Sequence, residues 1–156
     1  MHLDILTIGT RMPGWVNEGV ETYQKRLPKH MDLRFHELSP AQRLSGSAQD
    51  KIKQKEGKLM LKALRNDAYV IALDERGISW SSTDLATQLE RWFANYPRVA
   101  FLIGGADGLD ERVRQRADHI WSLSSLTLPH ALVRVVLTEQ LYRAWTLTQG
   151  HPYHRD

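Results

Sequence analysis

Short apolar runs alternate along the chain with segments whose apolar residues recur every three or four positions. The runs predict strands at residues 3–8, around Leu33 and Phe35, and at 68–73, 99–103 and 120–123. The periodic segments predict helices that end near Pro28, Arg65, Pro97 and Arg116, and a final helix that runs to about Thr148. This alternation predicts an α/β fold, in which helices flank a mainly parallel sheet, within one domain spanning residues 1–156.

Glycines, prolines and capping residues refine the expected positions of the strands, loops and helix ends. The run at 68–73 does not alternate, which is typical of a central strand covered on both faces. Residues 39–47 and 74–79 are expected to be loops, because both contain glycine and several polar residues. We expect Ser81, Ser82 or Thr83 to cap one helix and Asp110 to cap the next. Pro129 suits the first turn of the final helix.

The helix predicted at 49–65 has two interpretations. Ile52, Leu59 and Ala63 would form its inner face. Its outer face would carry many charges: Lys51, Lys53, Lys55, Lys58, Lys62 and Arg65, with Asp50, Glu56 and Asp67 opposing them. This is either an ordinary solvated face or a surface that follows nucleic-acid phosphates.

Composition narrows the class of protein. The 156 residues are 42% hydrophobic and 25% charged, which allows a sizeable core. There is no cysteine, so disulfides, thiolate zinc sites and cysteine nucleophiles are excluded. The start resembles no signal peptide and no window is long and apolar enough to span a membrane, so we expect a cytoplasmic protein. A net charge of +3 permits a nucleic-acid partner but does not require one.

Three strand ends are candidate ligand positions, because parallel sheets bind ligands beyond the carboxyl ends of their strands. They lie at 73–74, 103–104 and 123–124. The second leads into the glycine loop, residues 104–108 (Gly-Gly-Ala-Asp-Gly), which permits close backbone approach to a ligand or forms a plain turn. It matches neither a P-loop nor a dinucleotide fingerprint.

The third strand end leads into the small-residue loop, residues 123–128. Ser124, Ser125 and Thr127 expose backbone groups, and the leucines between them offer an apolar wall. This combination suits a flat heterocycle such as adenine, although a turn with capping serines is an equal alternative. No serine lies in a G-x-S-x-G motif, which argues against a hydrolase triad.

The last two segments complete the candidate site. The final helix is apolar around its circumference and must be buried, and Glu139 can pair with Arg143 one turn later. The polar tail at 151–156 contains two histidines, and with the two loops it predicts one composite ligand site. Disorder is the alternative for a terminal segment. No third ligand accompanies His151 and His154, so we expect no metal.

Several blocks together resemble the ribosomal RNA large-subunit methyltransferase H family of the SPOUT superfamily. They are Met12-Pro13-x-Trp15, Leu73-Asp74, Phe101 to Gly105, Leu123-Ser124-x-Leu126-Thr127-Leu128-Pro129-His130, Arg134, Glu139 to Ala144, and His151 to Arg155. The similarity covers the whole chain. Relatives often have Pro-Glu where this chain has Ala106-Asp107, and commonly end in Glu where it has Asp156.

The resemblance implies a homodimer with a C-terminal trefoil knot that methylates N3 of a pseudouridine in 23S rRNA on assembled 70S ribosomes. S-adenosylmethionine would be bound by Leu73, Gly104, Leu123, Ser124, Ser125, Leu126, Thr127 and Leu128. We expect His154 to take the N3 proton, with Tyr153 and Arg155 positioning the base or phosphate. Arg134, Glu139 and Arg143 would shape a pocket at the dimer interface. Two alternatives are a non-catalytic RNA-binding protein and a dinucleotide oxidoreductase.

Overall fold

The strands form one parallel sheet that positions the candidate site at one edge. In this computed structural model, residues 1–43 and 48–154 are described. The strands are β1 (His2–Ile8), β2 (Asp32–Leu38), β3 (Tyr69–Ser79), β4 (Arg98–Ile103) and β5 (His119–Ser122). Their order is β2-β1-β4-β3-β5, and every neighbouring pair is parallel. The predicted α/β class with a parallel sheet is therefore confirmed.

Helices cover both faces of the sheet. They are α1 (Gly14–Gln24), α2 (Gln49–Ala63), α3 (Ser82–Asn95), α4 (Glu111–Arg116) and α5 (His130–Thr148), followed by a 3-10 turn at Pro152–His154. Successive side chains of β4 point to opposite faces. Phe101 packs with α3 and α5, whereas Leu102 packs with α2 and α4. α5 packs against both α1 and α3. None of its residues is exposed, as its apolar circumference predicts.

The prediction of a loop at 74–79 is wrong, because β3 continues through this segment. β3 pairs with β5 at Leu73 and again at Ile78, and both residues register with Trp121. The four residues between them therefore bulge out of the ladder. A Cβ on Gly77 would lie 2.6 Å from the carbonyl oxygen of Ile120, so glycine is required where the strand returns to the sheet. Periodicity could not show this, since the bulged sequence is charged.

The predicted inner face of α2 is only partly correct. Ile52 is buried, but Leu59 and Ala63 are exposed. Glu56 and Met60 are buried instead, and Glu56 was expected on the outer face. Buried side chains at positions 52, 56 and 60 follow the i, i+4 spacing of a helix face. The error arose because Glu56, being charged, was assigned to the solvent face, and Leu59, being apolar, was assigned to the core.

The helix ends agree with the predicted positions to within a few residues. Ser81 caps α3, and its hydroxyl accepts the Asp84 N–H at 3.0 Å while Asp84 accepts the Ser81 N–H at 2.9 Å. Asp110 occupies the position before α4, but its side chain makes no capping hydrogen bond and pairs with Arg112. Pro129 precedes α5 instead of lying in its first turn.

Three further element bounds differ from the prediction. α1 ends at Gln24, because tight turns over the next three residues precede Pro28. α2 ends at Ala63, and β5 begins one residue earlier than expected. The predicted loop at 39–47 lies partly outside the described residues. Within residues 1–43 and 48–154, no helix has the length and apolar character to cross a membrane.

Candidate functional site

A cleft of about 720 Å³ lies where β4 and β5 end and where β3 leaves the ladder at its bulge. The three strand ends predicted to bind a ligand all contribute to its wall. Seven of the eight residues expected to bind cofactor line the cleft: Leu73, Gly104, Leu123, Ser124, Leu126, Thr127 and Leu128. Ser125 belongs to the same loop but is not among the lining residues. The cleft thus lies beyond the carboxyl ends of β4 and β5, as the fold class predicts, whereas the expected strand end at 73–74 is instead the start of a bulge within β3.

The glycine loop forms one wall of the cleft and is folded tightly on itself. The Gly108 N–H donates to the Gly105 carbonyl at 3.0 Å, and Gly108 has a φ of 86° that favours glycine. A Cβ on Gly104 would lie 2.7 Å from the Gly108 carbonyl carbon. Glycine is therefore needed at both positions, and the loop presents backbone to the cleft.

The small-residue loop forms the opposite wall. The Ser122 hydroxyl donates to the Ser124 carbonyl at 2.9 Å, and the Leu126 N–H donates to the Ser124 hydroxyl at 2.9 Å. No backbone–backbone hydrogen bond of the described chain uses residues 124–128, so apart from the Ser124 carbonyl and the Leu126 N–H their peptide groups remain available to a ligand. Leu126 is 72% exposed and gives the cleft an apolar surface beside these polar groups.

The β3 bulge (residues 74–77) forms a third wall; the sequence predicted a ligand position at Asp74 but not the bulge. The Thr127 hydroxyl donates to the Glu75 carboxylate at 2.5 Å, which ties the small-residue loop to the bulge. Burial alone would raise the pKa of Asp74, but hydrogen bonds from the Arg76 side chain and backbone outweigh it, and the net pKa is lowered. Asp74 therefore remains ionised and holds Arg76 and Arg114 beside the cleft.

A buried carboxyl group supports the glycine loop from below. Glu56 of α2 is 6% exposed, and one of its oxygens accepts the Ala41 N–H at 3.1 Å. Its other oxygen has no hydrogen-bond partner among the described residues and faces Gly105, where a Cβ would lie 3.0 Å away. Burial raises the pKa of Glu56, and the nearby Asp107 carboxylate reinforces this rise. Glu56 thus packs against the loop backbone, in a setting that favours its protonated form more than water does.

The first turns of α5 close the cleft. His130 lines it, and burial followed by the Arg134 charge lowers the pKa of this histidine, so the neutral imidazole is favoured. Arg134 is 3% exposed and donates to the Glu37 carboxylate at 2.6 Å and to the Gly9 carbonyl at 2.8 Å. It therefore anchors α5 to the ends of β1 and β2. His130 ends the block from Leu123 that carries the family resemblance, but its place in the cleft was not predicted.

The described part of the tail lies away from the cleft, on the outer surface of α5. The Tyr153 hydroxyl donates to Glu139 at 3.0 Å, and its ring packs edge-on against Tyr142 with centroids 4.7 Å apart. Glu139 also pairs with Arg143 at 2.8 Å, as its spacing predicts. Burial and the hydrogen bond to Glu139 raise the pKa of Tyr153, so its phenol stays protonated.

Within one chain, the two loops therefore line the same cleft, but the tail does not. Neither Tyr153 nor His154 lines the cleft, so the expected composite of loops and tail is not formed by a single chain. The Nδ1 atom of His154 is buried without a hydrogen-bond partner among the described residues. Arg155 lies outside the described residues. Within that described part, no group of three or more metal-ligating side chains is found.

Comparisons with known proteins agree with this architecture. A family model described as "Predicted SPOUT methyltransferase" matches residues 1–154. The ribosomal RNA large subunit methyltransferase H of Hahella chejuensis is 47% identical over 156 residues, covering 100% of both chains. The protein of the same name from Paraburkholderia phymatum is 49% identical over 155 residues, which is 99% of each chain. That from Chromohalobacter salexigens is 49% identical over 99% of this chain and 100% of its own.

These matches extend over the whole chain, so they include the cleft, α5 and the tail. Chains that are nearly half identical over their full length share a family and not only a fold. The chain therefore belongs to the SPOUT methyltransferases, in the family of the ribosomal RNA large subunit methyltransferase H proteins.

Proposed function

We propose that this methyltransferase transfers a methyl group from S-adenosylmethionine to N3 of a pseudouridine in 23S rRNA, on assembled 70S ribosomes in the cytoplasm. The observation that carries the proposal is the full-length similarity to large-subunit methyltransferase H proteins, together with a cleft at the predicted strand ends. The activity belongs to one catalytic domain spanning residues 1–156, with a trefoil knot near its C-terminus, and requires no metal ion.

The chemistry of the cleft fits S-adenosylmethionine. The leucines at 73, 123, 126 and 128 offer an apolar surface for an adenine ring, and the adjacent backbone groups can hydrogen-bond its edge. Gly104 lines the cleft, and its lack of a side chain lets the glycine loop fold against Gly108. The cofactor supplies an electrophilic methyl group bound to a positively charged sulfur. We include Ser125 in the cofactor site through the backbone of the small-residue loop.

The tail supplies the proton chemistry in this proposal. The N3–H of the base must lose its proton before or as the new bond to carbon forms. His154 accepts that proton, because a neutral imidazole is the common general base near neutral pH. The Nδ1 of His154 makes no competing hydrogen bond in the described chain but is buried there, so in this proposal the tail moves before His154 reaches the base. Arg155 holds the base or a phosphate, as a guanidinium does well.

Tyr153 has a positioning role. Its raised pKa keeps the phenol protonated at neutral pH, so it donates a hydrogen bond and does not act as a base. In the described chain that bond goes to Glu139, which Arg143 also contacts. We infer that the network of Tyr153, Glu139 and Arg143 orients the tail so that His154 can reach the substrate. Arg134 fixes α5 to the sheet and thereby shapes the same region.

The separation of tail and cleft in one chain supports a homodimer in which the tail of each subunit serves the cleft of its partner. Mixed dimers test this arrangement. One subunit would carry Gly104→Ala, a defect in the cleft, and the other His154→Ala, a defect in the tail. If the tail acts in trans, such a dimer keeps one intact site and part of the activity. If it acts in cis, both sites are defective and no activity remains.

The direct test of the activity is methyl transfer from radiolabelled S-adenosylmethionine to 70S ribosomes lacking this modification. Free 23S rRNA and ribosomes lacking pseudouridine serve as parallel substrates. Label on a pseudouridine of 70S particles alone supports the full proposal. Label on free rRNA would contradict the requirement for an assembled particle. Cofactor binding without any label would mean another RNA substrate, and the absence of both would favour a non-catalytic protein.

A further inference from the structure

The outer face of α2 carries a continuous row of positive charge. Lys51, Lys55, Lys58 and Lys62 are all exposed and lie at successive spacings of four, three and four residues, so they share one side of the helix. Arg65 continues this side just beyond the helix end. We call these five residues the α2 stripe. At a rise of about 1.5 Å per residue, its four lysines span about 16 Å.

Two of the three acidic residues expected to neutralise this face are engaged elsewhere. Glu56 is turned into the core and supports the glycine loop, and Asp67 pairs with Arg98 at 3.6 Å. In the described ranges, no acidic side chain forms an ion pair with any member of the stripe. The whole chain has a net charge of only +3, so these five charges are an uneven concentration on one surface.

The two ends of α2 lie beside two cavities. Near its start, Lys53 lines the cleft from the side of the helix opposite the stripe. At its end, Arg65 lines a second cavity of about 440 Å³, which also contains Arg34, Arg98, His2 and His36. Asp4 lies within this cavity, paired with Arg98 at 2.5 Å and with His36 at 3.0 Å. Arg65 has no such partner among residues 1–43 and 48–154, so the stripe reaches the second cavity with a cation that lacks an acidic partner there.

We propose that the α2 stripe binds the phosphate backbone of an RNA segment that lies outside the methylated nucleotide. The inference rests on the proposed function, because that function supplies the RNA. Lysine suits this role, because its flexible stem carries a point charge that contacts phosphates without reading a base. The stripe therefore contributes affinity and orientation, while the cleft and tail carry the chemistry.

The test compares two double variants with the same change in charge. Lys55→Gln/Lys62→Gln removes two charges from the stripe, and Lys25→Gln/Lys29→Gln removes two exposed charges near the end of α1. Binding of an RNA stem-loop and of 70S ribosomes is measured across a salt titration. Each lost phosphate contact lowers the slope of log affinity against log salt by about 0.7 to 0.9. The stripe variant should therefore lose about 1.5 from the slope, and the α1 variant should lose nothing.

Steady-state kinetics separate this inference from the proposed function. The stripe variant should raise the KM for ribosomes several-fold, with kcat and the Kd for S-adenosylmethionine unchanged. Lys55→Arg/Lys62→Arg should restore both KM and slope. Equal effects of the stripe and α1 variants, or no effect of either, would overturn the inference even when ribosomes are methylated. If RNA binding depends on the stripe but no ribosome is methylated, the inference stands and the proposed substrate is wrong.

Discussion

The cleft and the tail differ in how they are held. The cleft is bounded by strand ends and by loops tied to one another, through Ser124, through the Thr127–Glu75 hydrogen bond and through Glu56 below the glycine loop. The described tail contacts the rest of the chain mainly through Tyr153, which packs on α5. One part is therefore preformed by the sheet, whereas the other rests on the outer surface of a helix.

This difference indicates a division of labour. A preformed cleft can bind a small molecule with little loss of conformational entropy, which favours affinity. A tail with few contacts can move onto bound substrate, which favours its role in the chemical step. We therefore expect substitutions in the cleft to change the Kd for S-adenosylmethionine and substitutions in the tail to change kcat.

The largest expected effect is on the tail side. His154→Ala should lower kcat by about 10² to 10⁴, the usual contribution of a general base. The Kd for S-adenosylmethionine should stay within about twofold, because His154 does not line the cleft. Isothermal titration and single-turnover methyl transfer provide the two measurements, with His30→Ala as a control on an exposed histidine. A parallel loss of affinity and rate would make the tail a binding lid and contradict this division of labour.

The next largest effect is on the cleft side. Gly104→Ala places a Cβ 2.7 Å from the Gly108 carbonyl carbon, so the glycine loop must shift. The Kd for S-adenosylmethionine should rise at least about tenfold, a change of ~1.4 kcal/mol. Gly14→Ala is the matched control, because a Cβ there meets nothing within 4 Å. Unchanged affinity in Gly104→Ala would show that the loop does not contact the cofactor.

A smaller effect tests the bond between two walls of the cleft. Thr127→Val removes the hydroxyl that donates to Glu75 while preserving shape. The loss of about 1 kcal/mol of loop order should raise the Kd for S-adenosylmethionine about fivefold. Thr127→Ser retains the hydroxyl and should bind like the original chain. If both variants bind equally, the connection to the β3 bulge does not contribute to affinity.

The smallest effect concerns stability and its pH dependence. The pKa of Glu56 is raised in the folded chain, so its contribution to stability is complete at low pH and is lost as pH rises through that pKa. Glu56→Gln keeps an uncharged acceptor for the Ala41 N–H. It should match the original chain at pH 4 and exceed its Tm by about 2 to 4 °C at pH 8, if ~1 kcal/mol is recovered. Thermal unfolding at both values provides the measurement, and a gain of Tm at pH 4 only would contradict this sign.

Apolar patterns were sufficient for most of the fold. All five strands and five α-helices of the described residues were predicted. Most carry a continuous apolar run or an apolar face, whereas the short charged α4 was predicted from Asp110 before it. The β3 bulge was missed since its charged residues have the composition of a turn, and only pairing with β5 makes them part of a strand. Glu56 was misplaced because burial of a carboxyl group depends on the partners around it, which periodicity does not reveal.

The candidate site was predictable to the extent that strand ends determine it. Leu73, Gly104 and the small-residue loop line the cleft as the parallel topology requires. Glu75 and His130 were missed as parts of its wall, because one lies in the bulge and the other at a helix start whose direction depends on Arg134. The roles of His154, Tyr153 and Arg155, the homodimer and the trefoil knot stay predictions.

The bond from Arg134 to the Gly9 carbonyl joins residues 125 positions apart in the sequence. Neighbouring strands β1 and β4 are likewise separated by more than ninety residues in register. Folding rates fall as contacts become less local, so this chain is expected to fold slowly for its size. During synthesis of the chain, one face of the sheet would remain partly uncovered until α5 has been made. A nascent chain stalled before α5 would therefore expose the apolar face of β4, which makes it a target for chaperones and a risk for aggregation.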